Sequence, residues 1–159
     1  MPRIVSGGQT GVDRAALDAA IELGLPAGGW CPRGRRAEDG PIAARYAMNE
    51  TPSARYPQRT RWNARDSDAT LILNRGPLEG GTLLTRDYAM RVLGKPVRVV
   101  QLDGADPGVA AARAWLEANR VRVLNVAGPR EGSRPGIYAE ARAWLAGFLW
   151  AVMGDRYLP

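Results

Sequence analysis

The chain has 159 residues, 45% apolar and 24% charged, with a net charge of +6. That is the size and balance of a single globular domain, residues 1–159, able to bury a core of its own. There is no histidine and one cysteine, Cys31, which excludes Ser-His-Asp and Cys-His catalysis, histidine zinc sites, an internal disulfide and a thiolate metal cluster.

No apolar run nears the ~18 residues of a membrane span, and glycines interrupt the first segment before any leader pattern develops. The expectation is a cytoplasmic protein with no membrane contact. Lys95 is the only lysine; the remaining cations are arginines spread among Asp and Glu. Guanidinium forks suit phosphates and carboxylates. No aromatic-and-basic motif of a nucleic-acid binder stands out, so nucleic acid is not expected as a partner.

In chain order, Arg3-Ile4-Val5 reads as a short strand, Ser6 to Gly11 as a glycine-rich turn, and Val12 to Leu23 as a helix stopped by Gly24. Glycines at such a turn let a ligand approach the backbone, and the helix start offers free N–H groups to an anion. A plain tight connection, with Thr10 and Asp13 as a capping box, is the other reading. Ala27 to Cys31 is a second strand, and the arginine-bearing stretch 32–41 a long loop. Residues 42–55 look irregular, and Tyr56 to Arg65 is a helix with Pro57 in its first turn. Ala69 to Asn74 is continuously apolar and β-branched, as in a strand covered on both faces.

A second strand–glycine–helix turn spans residues 75–82, ahead of a helix at Leu83 to Leu93 and a strand at Pro96 to Val100. A helix at 107–119, a strand at Val121 to Val126 and a third such turn at 127–136 follow. The last helix places Ile137, Ala141, Trp144, Leu145, Phe148, Leu149 and Val152 on one side, while Ala139, Ala143, Ala146 and Trp150 make its other side apolar too. That second apolar side suggests a homo-oligomer. The alternation predicts an α/β fold: a doubly wound, mostly parallel sheet with helices on both faces. In such a sheet all three turns lie at one edge, where ligands bind. A phosphate-bearing small molecule is the expected ligand. The Walker and dinucleotide fingerprints are absent.

Several segments in order carry a resemblance: Ser6 to Ala16, Gly29 to Pro32 with Gly34 to Ile42, Asn63 to Asp68, Gly80-Gly81-Thr82, and Asn125 to Glu131. Together they resemble the molybdenum cofactor carrier proteins, in the YpsA-related branch of the Rossmann-like SLOG group. The resemblance implies a non-enzymatic, homo-oligomeric protein. It would bind molybdenum cofactor (molybdopterin) as cargo, protect it and pass it to molybdoenzymes. The amides of Gly7, Gly8, Gln9, Thr10 and Gly11 and of Gly80, Gly81 and Thr82 would then hold phosphate oxygens. Arg130 would close the far side, and Arg33, Arg35 and Arg36 would form a lid. Cys31 could ligate molybdenum, but a buried structural thiol is the preferred reading, so no metal ligand is assigned.

Two other functions remain open. A nucleotide phosphoribohydrolase of the lysine-decarboxylase-like (LOG) type would need a glutamate where this chain has Thr85. Asp87, two positions further on, points elsewhere on a helix, Glu79 could replace the glutamate only with rearranged geometry, and Asp13, Glu38, Asp39 and Glu131 are further carboxylates near the site edge. A nucleotide-sensing module is the third class.

Overall fold

The computed structural model describes residues 2–104 and 108–154. Six parallel strands form one sheet: β1 (Arg3–Val5), β2 (Ala27–Cys31), β5 (Met48–Glu50), β6 (Ala69–Asn74), β7 (Val97–Gln101) and β8 (Val123–Ala127). Their order is β5-β2-β1-β8-β6-β7. A separate two-stranded hairpin pairs β3 (Arg36–Ala37) with β4 (Gly40–Pro41). The expected doubly wound α/β architecture is present.

Helices α1 (Val12–Glu22), α4 (Val109–Ala118) and α5 (Ile137–Met153) pack together, and α2 (Tyr56–Arg65) packs with α3 (Gly80–Asp87). The larger core joins β1, β6 and β8 to the first group through Ile4, Leu71, Leu73, Leu124, Phe148 and Leu149. All six residues of β6 are buried, as a strand flanked by strands and covered on both faces must be. A smaller cluster gathers Leu17, Cys31, Ala37, Ile42 and Tyr46. On α5 the second apolar side does face outward, with Ala139, Ala143 and Ala146 exposed and Trp150 55% exposed.

The chain builds outward from β1 to β2 and β5, then returns past β1 to lay down β6 and β7. The gap left between β1 and β6 is filled last, by β8. Asp68, just before β6, accepts the Arg122 and Val123 amides at 2.8 Å each and aligns the incoming strand. Those two amides, in that order of importance from Val123, hold the Asp68 carboxyl below its ordinary range.

Several boundaries differ from expectation. The third helix begins at Gly80, three residues early, and ends in a π-helical turn at Tyr88–Val92. The glycine pair is therefore its first turn rather than the loop before it. The fourth helix begins at Val109; its expected start at 107 lies outside the described residues. β5 and the β3–β4 hairpin sit in stretches read from sequence as irregular or loop. The capping box at Thr10 is not formed: Gly11 is the N-cap of α1 without a side-chain bond. The Thr10 hydroxyl instead donates to Glu38 at 2.6 Å and accepts the Glu131 amide at 3.1 Å.

Candidate functional site

A cleft of about 580 Å³ opens at the carboxyl edge of β1, β8 and β6, between α2 and α3. This is the switch point of the sheet, where strand order reverses on either side of β1 and where doubly wound proteins bind ligands. Of the residues expected there, Gly7, Gln9, Gly80, Gly81, Thr82 and Arg130 line it.

The start of α3 is the side of the cleft best suited to an anion. The first amides of a helix have no intrahelical acceptor, and an added Cβ would meet nothing within 4 Å at Gly80 or at Gly81. Thr82 turns its own amide back to the Glu79 carbonyl at 3.1 Å. The Gly80 and Gly81 amides thus belong to the positive end of a helix, beside α-carbons that border open space.

The first glycine-rich turn is built differently. Its amides serve the chain's own oxygens: Gly8 donates to Ser6 Oγ, Gln9 to Asp13 Oδ2 and Thr10 to Gln9 Oε1. Its glycines are there for close packing. Gly8 has φ +72°, and a Cβ there would stand 2.7 Å from Ile42 Cδ1; at Gly11, φ +76°, it would meet the Pro129 carbonyl at 2.4 Å. Asp13 thus sits where an external anion was expected. Burial raises its carboxyl to about 6, against the opposing pull of Arg59, the Gln9 amide, Arg14 and the Gly7 amide.

Arg59 is the buried cation of the cleft, 8% exposed. Its Nη1 donates to the Gly7 carbonyl at 2.7 Å, its Nε donates to Thr60 Oγ1 at 3.2 Å, and the guanidinium stands 5.1 Å from the Tyr56 ring centre. Sequence reading passed over it, because α2 also carries Arg61 and Arg65. The available signal was the i, i+4 pair Arg59 and Asn63, which with Ala64 are the buried residues of α2. Asn63 clamps the Trp30 peptide, accepting its N–H at 2.8 Å and donating to its carbonyl at 2.9 Å.

The expected lid arginines disperse. Arg35 donates to the carbonyls of Ile42, Ala43 and Tyr46 and so fastens its own loop. Arg36 donates to the Ala54 carbonyl and lies 4.8 Å from the centre of the Tyr56 ring, at the cleft rim. Arg33 is exposed and outside the lining. Arg130 pairs with Glu38 at 3.3 Å, and Arg134, a lining residue not foreseen, pairs with Glu79 at 3.3 Å and donates to the Arg75 carbonyl. Arg134 thus ties the turn after β6 to the turn after β8, and Arg130 ties the latter to the β3–β4 hairpin.

Among the carboxylates, Asp13 and Glu79 line the cleft; Asp39 pairs with Arg14, and Asp87 with its neighbour Arg86. Thr85, at the position of the hydrolase glutamate, donates its hydroxyl to the Gly81 carbonyl at 2.8 Å. Cys31 is buried outside the lining, and burial pushes its thiol up. Among the described residues no helix is long and apolar enough to cross a membrane.

The model of the circularly permutated YpsA SLOG family matches residues 4–149. A crystal structure from Syntrophus aciditrophicus SB, described as a "putative molybdenum carrier protein", is 42% identical, with a TM-score of 0.87 over 94% of this chain and 95% of that one. No curated protein matches.

Proposed function

Because the chain belongs to the circularly permutated YpsA SLOG family, we propose that it is a carrier that binds molybdenum cofactor in the switch-point cleft. The observation that carries this reading is the pairing of a buried guanidinium, Arg59, with the open helix start at Gly80 and Gly81. A cofactor with a phosphate at one end and an oxo-anionic metal at the other needs anion contacts in two places. The amides of Gly80 and Gly81 hold the phosphate, with Thr82 and Arg130 beside it. Gly7 and Gln9 shape the opposite wall, while Gly8, Thr10 and Gly11 keep that wall in place from behind. Arg36 acts at the rim through Tyr56, and Arg33 meets cargo only at the outer surface. Its relative's description as a molybdenum carrier agrees with this.

In this reading the protein works in the cytoplasm as a single-domain homo-oligomer assembled through the exposed side of α5, and it hands its cargo to molybdoenzymes without chemistry of its own. Asp13, a carboxyl half-protonated near pH 6 in the cleft wall, favours one competing reading, a LOG-like hydrolase with Asp13 as acid.

The deciding experiment is mass spectrometry of the small molecule that co-purifies with the native protein, with elemental assay for molybdenum and tungsten. A pterin near one per chain is the expected result. A nucleotide in its place, hydrolysed to base and ribose phosphate on incubation, overturns the carrier reading for the hydrolase; a nucleotide retained intact points to a sensing module.

A further inference from the structure

Among the described residues, three buried side-chain polar atoms lack a hydrogen-bond partner: Asn74 Oδ1, Arg98 Nε and Arg142 Nη1. Of these residues, Asn74 alone lines the cleft. It is the last residue of β6 and is 0% exposed. The orientation of its amide is fixed, because Nδ2 donates to the Gly76 carbonyl at 2.8 Å and leaves Oδ1 on the other side.

Nearby donors are committed elsewhere. Gln101 Nε2 donates to the same Gly76 carbonyl, Asn125 Nδ2 to Thr70 Oγ1, and the Thr85 hydroxyl to the Gly81 carbonyl. Buried acceptors are nearly always satisfied in folded proteins, and an exception calls for a reason. Here the reason lies in the position of Asn74, across one turn from Gly80 and Gly81. Asn74 lines the same cleft as those two glycines, so a ligand whose phosphate meets their amides shares the cavity with the asparagine side chain.

We infer that Asn74 is a specificity-determining residue whose Oδ1 accepts an N–H from a heterocycle, so that the cleft selects phosphate esters bearing an N–H ring edge over those without one. The inference rests on the cleft being the ligand site, and it adds which ring chemistry that site reads. Pterins and guanine share such an edge, an amide N–H beside an amino group. A sugar phosphate has no ring N–H to offer.

The test is isothermal titration with inorganic phosphate, ribose 5-phosphate and GMP. On the wild-type chain GMP binds about tenfold or more tighter than ribose 5-phosphate, the worth of one hydrogen bond to an otherwise unsatisfied acceptor. Asn74→Leu removes that preference by about tenfold while ribose 5-phosphate affinity stays within about twofold. A purely structural asparagine would move both affinities together, and that result overturns the inference, as does equal wild-type affinity for the two esters. If Asn74→Leu does not fold, Asn74→Ser, which also lacks the amide oxygen, takes its place in the same titrations. Binding of none of the three compounds overturns the cleft assignment itself; binding of all three without preference overturns only the role of Asn74.

Discussion

Arg59 Nη1 stands 3.9 Å from Asp13 Oδ2, and the two side chains are each about a tenth exposed in the wall of the cleft. The guanidinium does not fully offset the desolvation of the carboxylate, which titrates at about 6 rather than 3.8. A carboxyl raised in the folded state favours folding while it is protonated, and that contribution fades as pH rises from about 4 through 6. The shift corresponds to roughly 3 kcal/mol. Asp13→Asn, which mimics the neutral form, therefore gains on the wild type by about 2–3 kcal/mol between pH 4 and pH 7. Denaturant melts of both proteins across that range check it; parallel pH profiles would reject it.

Arg59→Met removes the donor to the Gly7 carbonyl and the cation beside Asp13. Stability falls by about 1–3 kcal/mol, as expected for a buried acceptor left unpaired. Titration with molybdate, standing in for the oxo-anionic end of the cargo, shows at least about tenfold weaker binding than the wild type, the loss of one charge-assisted contact. Arg61→Met on the same helix, outside the cleft lining, changes neither.

Gly8 and Gly81 separate a packing glycine from a site glycine. Gly8→Ala forces a side chain into a positive φ against Ile42 and costs about 1–3 kcal/mol. Gly81→Ala meets open space inside a helix, so stability holds or rises by up to about 1 kcal/mol. Phosphate affinity moves the opposite way, falling for Gly81→Ala. Calorimetric melts and titrations on the two variants read both effects.

The doubly wound fold was legible because β1, β6 and β8 each run into a glycine-bearing turn and then into a helix. β5 was not, since Met48-Asn49-Glu50 has neither alternation nor β-branched residues and owes its state to pairing with β2. The hairpin at Arg36–Pro41 has only two residues per strand, too few for any period to emerge. In the site, the segments were legible and their duties were not. Glycine at position 8 says that the backbone is unusual there; only the folded turn shows that Ser6 and Asp13 take up the amides of Gly8 and Gln9. Asn74 gives no warning in sequence, because the state of its oxygen depends on where Gln101, Asn125 and Thr85 send their own donors.

Lys95 gathers the carbonyls at the end of α2, donating to Ser67 O at 2.7 Å and to Arg65 O. Lys95→Met leaves those carbonyls and the negative helix end without their cation, at a cost of about 1 kcal/mol. Because α2 carries Arg59, molybdate affinity also drops modestly. Hydrogen exchange of the Trp62–Arg65 amides, faster in the variant, reports the fraying.

Cys31→Ala leaves the molybdenum content of the purified protein unchanged, since the thiol is buried away from the cleft. Elemental assay of variant and wild type decides; lost metal at retained stability would give the thiol a ligand role.

The insertion of β8 between β1 and β6 sets the timetable of synthesis. Strand β1 leaves the ribosome among the first residues and β6 midway, yet neither can close its side of the sheet until residues 123–127 follow. A nascent chain therefore carries two open strand edges from the completion of β6 until β8 emerges, the kind of surface that recruits other chains. The same arrangement delays the cleft until late in synthesis, because its floor includes β8, the last strand to arrive.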